Sequence, residues 1–471
     1  MSPGLAAESD IGARLDRLPA SPYLWWLVAL LSFGAFFEIY DVFLSAPLSL
    51  GLLAAGVFHA GAAGLFGLSD QATFVAATFA GLWLGTVGFS AIADRLGRRP
   101  VFTLALVWYA AATMVMGLQS TPLSIDAWRF VASVGVGVEL VAIDCYLAEL
   151  MPRRIRGRAF AVSASIQFLS APLVAILAWG LIPGNHFGIA GWRWLAFVPG
   201  VGAVLVWWVR RALPESPRWL AAHGRPEEAD RVMTLIETRA GAGARASSPL
   251  VASPVVPVAF RDAGWKPALR ENVSQWRPPY RKRTIVLIVF HLFQTVGYYG
   301  FANWLPTLLV SQGVTIGGSL AYAAVIALVP TLAPLVFTAV ADRAERKWLI
   351  IGGALTAAVF GLMMSGMTGR SNFLVFTLIG AVTAAGLSLM SFAYHAYQSE
   401  IFPTAIRARA VGLVYSFSRL SAVFSGYLIA AALGRFGGAG AFALISAAMI
   451  VVALTIGLFG PRTRGLALEG I

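Results

Sequence analysis

The chain has 471 residues, of which 58% are hydrophobic and only 12% charged, with a formal net charge of +13. Soluble domains carry about 25% charged residues, so this composition excludes an aqueous globular fold. The lone Cys145 excludes a disulfide framework, and the scattered histidines show no metal-ligand spacing and no cofactor motif.

Residues 1–22 contain Glu8, Asp10, Arg14, Asp16 and Arg17 and no apolar core before Tyr23, which reads as a short tail rather than a cleavable signal. From there, runs of about 20 apolar residues recur along the chain, each long enough to cross a hydrocarbon core of about 30 Å as a helix. The period-2 alternation of barrel strands is absent. Six spans are predicted near 23–52, 72–93, 101–119, 124–150, 159–182 and 192–211. Six more follow near 284–310, 318–340, 348–368, 372–401, 410–433 and 439–460. The predicted organisation is a tail (1–22), a six-helix bundle (23–211), a cytoplasmic linker with short helices and a flexible segment (212–283), a second six-helix bundle (284–460) and a tail (461–471). All but five of the 35 Lys and Arg fall in the tails and loops of one face; the five are Arg129, Arg193, Arg370, Arg419 and Arg435. That asymmetry places both termini in the cytoplasm of a multi-pass plasma membrane protein. It also explains the basic balance without any nucleic-acid partner.

Two landmarks occur twice. ELMPRRIRGRA at 149–159 matches EIFPTAIRARA at 400–410, and ADRLGRR at 93–99 matches ADRAERK at 341–347. Similar offsets between the paired copies mean two parallel, pseudo-symmetric halves, and self-contained halves point to a monomer. Each acid sits at a basic helix end, so a gating latch is expected from Asp94, Arg95, Arg98, Arg99, Glu149 and Arg156, with Asp342, Arg343, Glu400 and Arg407 in the second half.

Within the spans, Glu38 and Asp41 are three residues apart in FFEIYDVFL and share a helix face. A buried carboxylate must be paired, hydrated or protonated, so the pair is either a proton site or a structural pair bound to an arginine. Span 4 adds Glu139 and Asp144, about 140° apart around the helix. Glu139 is expected near a cavity and Asp144 in coupling or helix pairing, while Gly135 and Gly137 allow close helix approach. Span 7 offers Gln294, Tyr298 and Tyr299, and span 10 offers Tyr394 and His395, as a pocket wall. Arg419 lies ten residues beyond Arg409 in span 11, about 15 Å deep at 1.5 Å per residue. A guanidinium there needs an anion, either a protein carboxylate or one brought by a substrate.

Twelve spans in two parallel halves, with DRLGRR after span 2 and DRAERK after span 8, resemble the major facilitator superfamily. PESPRWL at 214–220 and GWRW at 191–194 resemble sugar porters and related organic-ion transporters. The sugar-contacting positions differ: where sugar porters carry a paired Gln in span 7 and a Trp in span 10, this chain has Phe293-Gln294 and His395. FFEIYDVFL is similar to the span-1 acid pair of metabolite:proton and aromatic-acid:proton symporters, and the latter carry a span-11 arginine where Arg419 stands. The resemblance implies proton-coupled uptake of a small carboxylate by alternating access, with Arg419 on the substrate and the acids carrying the proton. A neutral or cationic substrate (sugar, polyol, betaine) and drug:proton antiport are the alternatives.

Overall fold

In a computed structural model, the structure describes residues 11–59, 69–96, 98–210, 213–241, 276–278, 280–341, 344–367, 373–402 and 404–462. Every predicted span coincides with helix. Spans 1 to 4 are Pro22–Ala54, Asp70–Leu96, Arg98–Gly117 and Pro122–Leu150; span 6 is Gly191–Arg210. Spans 7, 9 and 10 are Tyr280–Ser311, Arg346–Gly366 and Phe373–Glu400. Span 5 is built from two segments, Arg153–Phe168 and Ser170–Leu181, and span 8 from Ile316–Ile326 and Leu328–Ala341. Spans 11 and 12 run without a loop from Thr404 to Phe459 and separate only at Gly437, whose φ of 67° is open to glycine. Among the described residues seven helices are long and apolar enough to cross a membrane, the Ala410–Phe459 stretch counting as one.

The helix starts follow from local chemistry. Ser21 and Thr121 accept from the backbone N–H groups of Leu24 and Ser124, and each is followed by a proline at the first helical position. On the face carrying the termini, basic residues at the start of one span cap the carbonyl end of another. Arg283 donates to the Ile401 carbonyl and Lys347 to that of Gly460.

The halves meet in a pattern that obeys the internal repeat. Span 2 packs on span 11, span 5 on span 8, and span 1 on span 7. Pro172 in span 5 cannot donate to the carbonyl four residues back, at Phe168. Thr331 Oγ1 of span 8 donates to that carbonyl instead, at 2.9 Å, so a backbone defect in one half becomes a contact with the other. On the face opposite the termini, Gln71 Nε2 donates to Thr307 Oγ1 at 2.8 Å. Leu320 of span 8 there joins the apolar cluster formed by Leu50, Phe58 and Ile182 of the first half. These contacts tie the two halves together on that face.

The tail carries structure of its own. Residues 11–17 are helical, and Ile11, Leu15 and Leu18 are buried against Trp219, Met233 and Ile236. Those partners sit on two linker helices, Pro217–Ala222 and Pro226–Arg239. Arg14 donates to Glu237 from Nε and Nη2 (2.9 and 2.7 Å) and to Asp230 at 2.5 Å. Hydrogen bonding to Glu237 holds the Arg14 guanidinium above its ordinary pKa. A seven-residue helix is unstable alone, so this one exists because it is docked.

Gly137 of span 4 packs on span 2, where a Cβ would strike the Leu82 carbonyl, whereas one at Gly157 would meet nothing within 4 Å. Gly137→Val is therefore expected to cost about 1–3 kcal/mol or more through overpacking. Gly157→Ala is expected to leave thermal unfolding of the purified protein unchanged or slightly higher.

Candidate functional site

Two buried guanidinium groups, one per half, define the interior chemistry. In the first half Arg129 of span 4 and Asp41 of span 1 are both 0% exposed. Arg129 Nη1 lies 2.8 Å from Asp41 Oδ2, and Nη2 donates to the Asp41 carbonyl at 2.6 Å and to Ser45 Oγ at 2.9 Å. Nε donates to Thr78 Oγ1 at 2.9 Å, and Thr113 Oγ1 donates to Asp41 Oδ1 at 3.1 Å. Residues from spans 1 to 4 converge on this pair, which satisfies both charges as burial requires. Asp41 thus stands in a buried ion pair with an arginine. Glu38 and Glu139 lie buried in the same half, at 1% and 0% exposure. The side chain of Asp144 lies outside the described residues.

In the second half Arg419 is 5% exposed and its setting is different. Nη1 donates to Tyr299 Oη at 2.9 Å and Nη2 to Tyr415 Oη at 3.1 Å, while Nε has no partner. Its Cζ lies 5.3 Å from the Tyr415 ring centroid. Among the described residues no carboxylate pairs with it. The surrounding wall is aromatic. Tyr298 meets Tyr299 edge-on at 5.4 Å, and Phe79 of span 2 packs on Tyr299 at 4.6 Å, which places the guanidinium at the seam between the halves. Tyr394 and His395 stack at 4.1 Å, and His395 tilts toward Tyr415 at 6.1 Å. His395 is exposed, with Nδ1 2.7 Å from the Ser391 carbonyl. Gln294 is buried and its Oε1 accepts from Thr295 Oγ1 at 3.2 Å. His291 is buried behind Tyr394 and Tyr415, with Nε2 3.1 Å from Gln398 Oε1.

Of the predicted pocket residues, Tyr299 bonds Arg419 directly, Tyr298 packs on Tyr299, and Tyr394 stacks on His395, which faces Tyr415, while Gln294 is placed only by its contact with Thr295. Tyr415 is an addition, and its signal was available: it precedes Arg419 by four residues and shares its helix face. Arg129 as the partner of Asp41, and the hydroxyls of Ser45, Thr78 and Thr113, carried no such local signal.

At the face carrying the termini, Arg346 Nε lies 2.7 Å from Glu400 Oε1. Arg346 belongs to the second copy of the repeated loop, and its counterpart in the first copy is Arg98, as Glu149 is the counterpart of Glu400. Glu149 is half-buried, and Arg156 donates to the Met151 carbonyl at 3.0 and 3.2 Å, closing the turn after span 4. The side chains of Asp94, Arg95, Arg98, Arg99 and Arg407, and Asp342 and Arg343 altogether, lie outside the described residues.

A family model described as "Sugar (and other) transporter" matches residues 27–471. The chain is 31% identical over 461 residues to the putative metabolite transport protein YyaJ of Bacillus subtilis, covering 97% of this chain and 96% of that one. It is 25% identical over 467 residues to the niacin transporter NiaP of Acinetobacter baylyi, covering 98% and 99%. In fold it is similar to the xylose transporter XylE from E. coli in a partially occluded inward-open conformation. That match has a TM-score of 0.75 at 18% identity and covers 95% of this chain and 100% of that one.

Removing one member of a buried ion pair strands the other charge, at a cost of about 3–5 kcal/mol. Arg129→Met is expected to destabilise the protein by that amount, and Arg129→Met combined with Asp41→Leu to recover most of it. Thermal unfolding of the two single variants and the double variant measures the coupling.

Proposed function

The chain belongs to the sugar (and other) transporter family of the major facilitator superfamily, and from that premise we propose that it carries a small organic carboxylate together with a proton by alternating access. It is a membrane transporter and not an enzyme. The observation that carries the substrate class is the contrast between the two arginines. Arg129 has Asp41, whereas Arg419 has two tyrosine hydroxyls and no carboxylate among the described residues. A guanidinium out of water requires an anion, and its planar fork suits a carboxylate. Tyr299 accepts from Arg419 and keeps its own O–H to donate to a bound carboxylate. The niacin transporter among the relatives supports the same class, since niacin is a pyridine carboxylic acid.

In this reading Arg419 and Tyr299 hold the carboxylate, and Gln294, Tyr298, Tyr394, Tyr415 and His395 form the wall. Asp41 is ion-paired with Arg129, and Glu38 and Glu139, buried in the same half, are the carboxyls that take up and release the proton in this reading. A protonated carboxyl crosses the occluded state without the penalty of a buried charge. Rocking of the halves about the span 2–11 and span 5–8 contacts exposes the site to each side in turn. Glu400 with Arg346 fastens the second half at the face carrying the termini. With that face cytoplasmic, the direction is uptake.

A second reading, a sugar substrate, is favoured by the family description and by the fold of XylE. Arg419 separates the two. Arg419→Gln is expected to lower carboxylate affinity at least about 30-fold, or about 2 kcal/mol, with Arg419→Lys losing less. If Arg419→Gln binds its best substrate as tightly as the parent protein, the ligand is neutral and the sugar reading takes its place. Glu38→Gln in proteoliposomes should retain counterflow exchange while losing accumulation driven by an imposed pH gradient. Uptake that ignores the gradient in the parent protein would remove proton coupling.

A further inference from the structure

A second group of carboxyls lies on the face opposite the termini, outside the site described above. Asp70 is the first residue of span 2 and Asp126 stands in the second turn of span 4, and both are buried, at 3% and 7% exposure. The two interact electrostatically. Asp70 Oδ2 accepts from the His59 backbone N–H at 2.9 Å and lies 3.2 Å from His59 Nδ1, on a side chain that is 65% exposed. Asp126 Oδ1 is buried and has no hydrogen-bond partner. Among the described residues no lysine or arginine pairs with either acid. One turn deeper on the same two helices, the Phe74 ring lies under the Arg129 guanidinium at 5.6 Å. The Asp70 and Asp126 carboxyls are therefore a charged layer separate from the Arg129–Asp41 pair.

This layer borders the seam between the halves. Gln71, next to Asp70, makes the 2.8 Å contact with Thr307 of span 7. Span 11 comes against the start of span 2 at Gly426, where a Cβ would lie 3.3 Å from Val75 Cγ1. The next residue, Tyr427, is within electrostatic reach of Asp126. The titratable groups around the two carboxyls are thus His59 after span 1, Tyr427 of span 11 and each other, while Arg129 is taken up by Asp41.

We propose that Asp70 and Asp126 form a proton-binding site, reached from solvent through His59, and that the halves come together on this face only when the site holds a proton. Two neighbouring carboxyls withdrawn from water oppose each other's ionisation, and an ionised carboxylate with an unpartnered oxygen is costly to bury. A proton held by the pair removes both penalties. Its loss adds a second negative charge beneath span 11, and parting the seam to admit water relieves that charge. The site is additional to Glu38 and Glu139, the carriers in the reading above, and does not depend on the class of substrate.

The test is a distance measured across this face by pulsed electron spin resonance on the full-length protein in nanodiscs. Spin labels are placed at two exposed positions, through Ala55→Cys and Arg435→Cys in a Cys145→Ser background. The short-distance population is expected to fall at least about twofold as the pH rises from about 5 to about 9. In Asp126→Asn, or in Asp70→Asn should the first not fold, it is expected to stay at its low-pH level throughout. Asp126→Glu and Glu38→Gln should both keep the pH response. A population that does not change with pH in the parent protein overturns the proposal. So does a pH response that survives in the Asn variants, or one that Glu38→Gln removes, since carboxyls elsewhere would then set the seam.

Discussion

A charged side chain in the hydrocarbon interior must be compensated within the protein, and this fold answers that constraint twice in different ways. In the first half the compensation is internal and complete, with Arg129 and Asp41 bonded to each other and surrounded by hydroxyls from spans 1, 2 and 3. In the second half it is partial. Arg419 sits among aromatic rings, with phenol oxygens where a carboxylate would be expected and with Nε unsatisfied. The first arrangement pins four helices together. The second leaves a charged site unfinished at the seam between the halves, the feature on which the carboxylate proposal rests.

The seam itself is economical. The contacts between halves repeat under the internal symmetry, and one is made from a carbonyl that Pro172 leaves without its helical donor and that Thr331 satisfies from the other half. Irregular backbone in a membrane helix is tolerated where a neighbour supplies the missing bond. Here that neighbour belongs to the opposite half, so the irregularity doubles as a contact between the halves.

Much of this was legible in the amino-acid order because the governing quantities are local. Apolar run length gave the spans, the paired landmarks gave the halves, and depth along span 11 singled out Arg419. The aromatic wall followed from residues on spans 7 and 10. The partner of Asp41 was not legible, since it lies 88 residues away on another helix and helix-to-helix register leaves no periodic trace. Arg346 as a partner of Glu400 is of the same kind. The docked helix at residues 11–17 was missed for another reason. Ile11, Leu15 and Leu18 do follow helical spacing, but a single turn or two carries too little periodicity to outweigh five charges in the same short tail.

That docked helix bears on how the halves are joined. Residues 11–17 and the linker helices at 217–222 and 226–239 ride together under the first half. The connection to the second half therefore begins near Gly241 and ends at Tyr280, rather than starting at the end of span 6. At about 3.3–3.6 Å per residue, that stretch can reach on the order of 100 Å, far more than the gap between neighbouring helices. In binding terms the two bundles resemble the subunits of a heterodimer kept at high effective concentration by their tether.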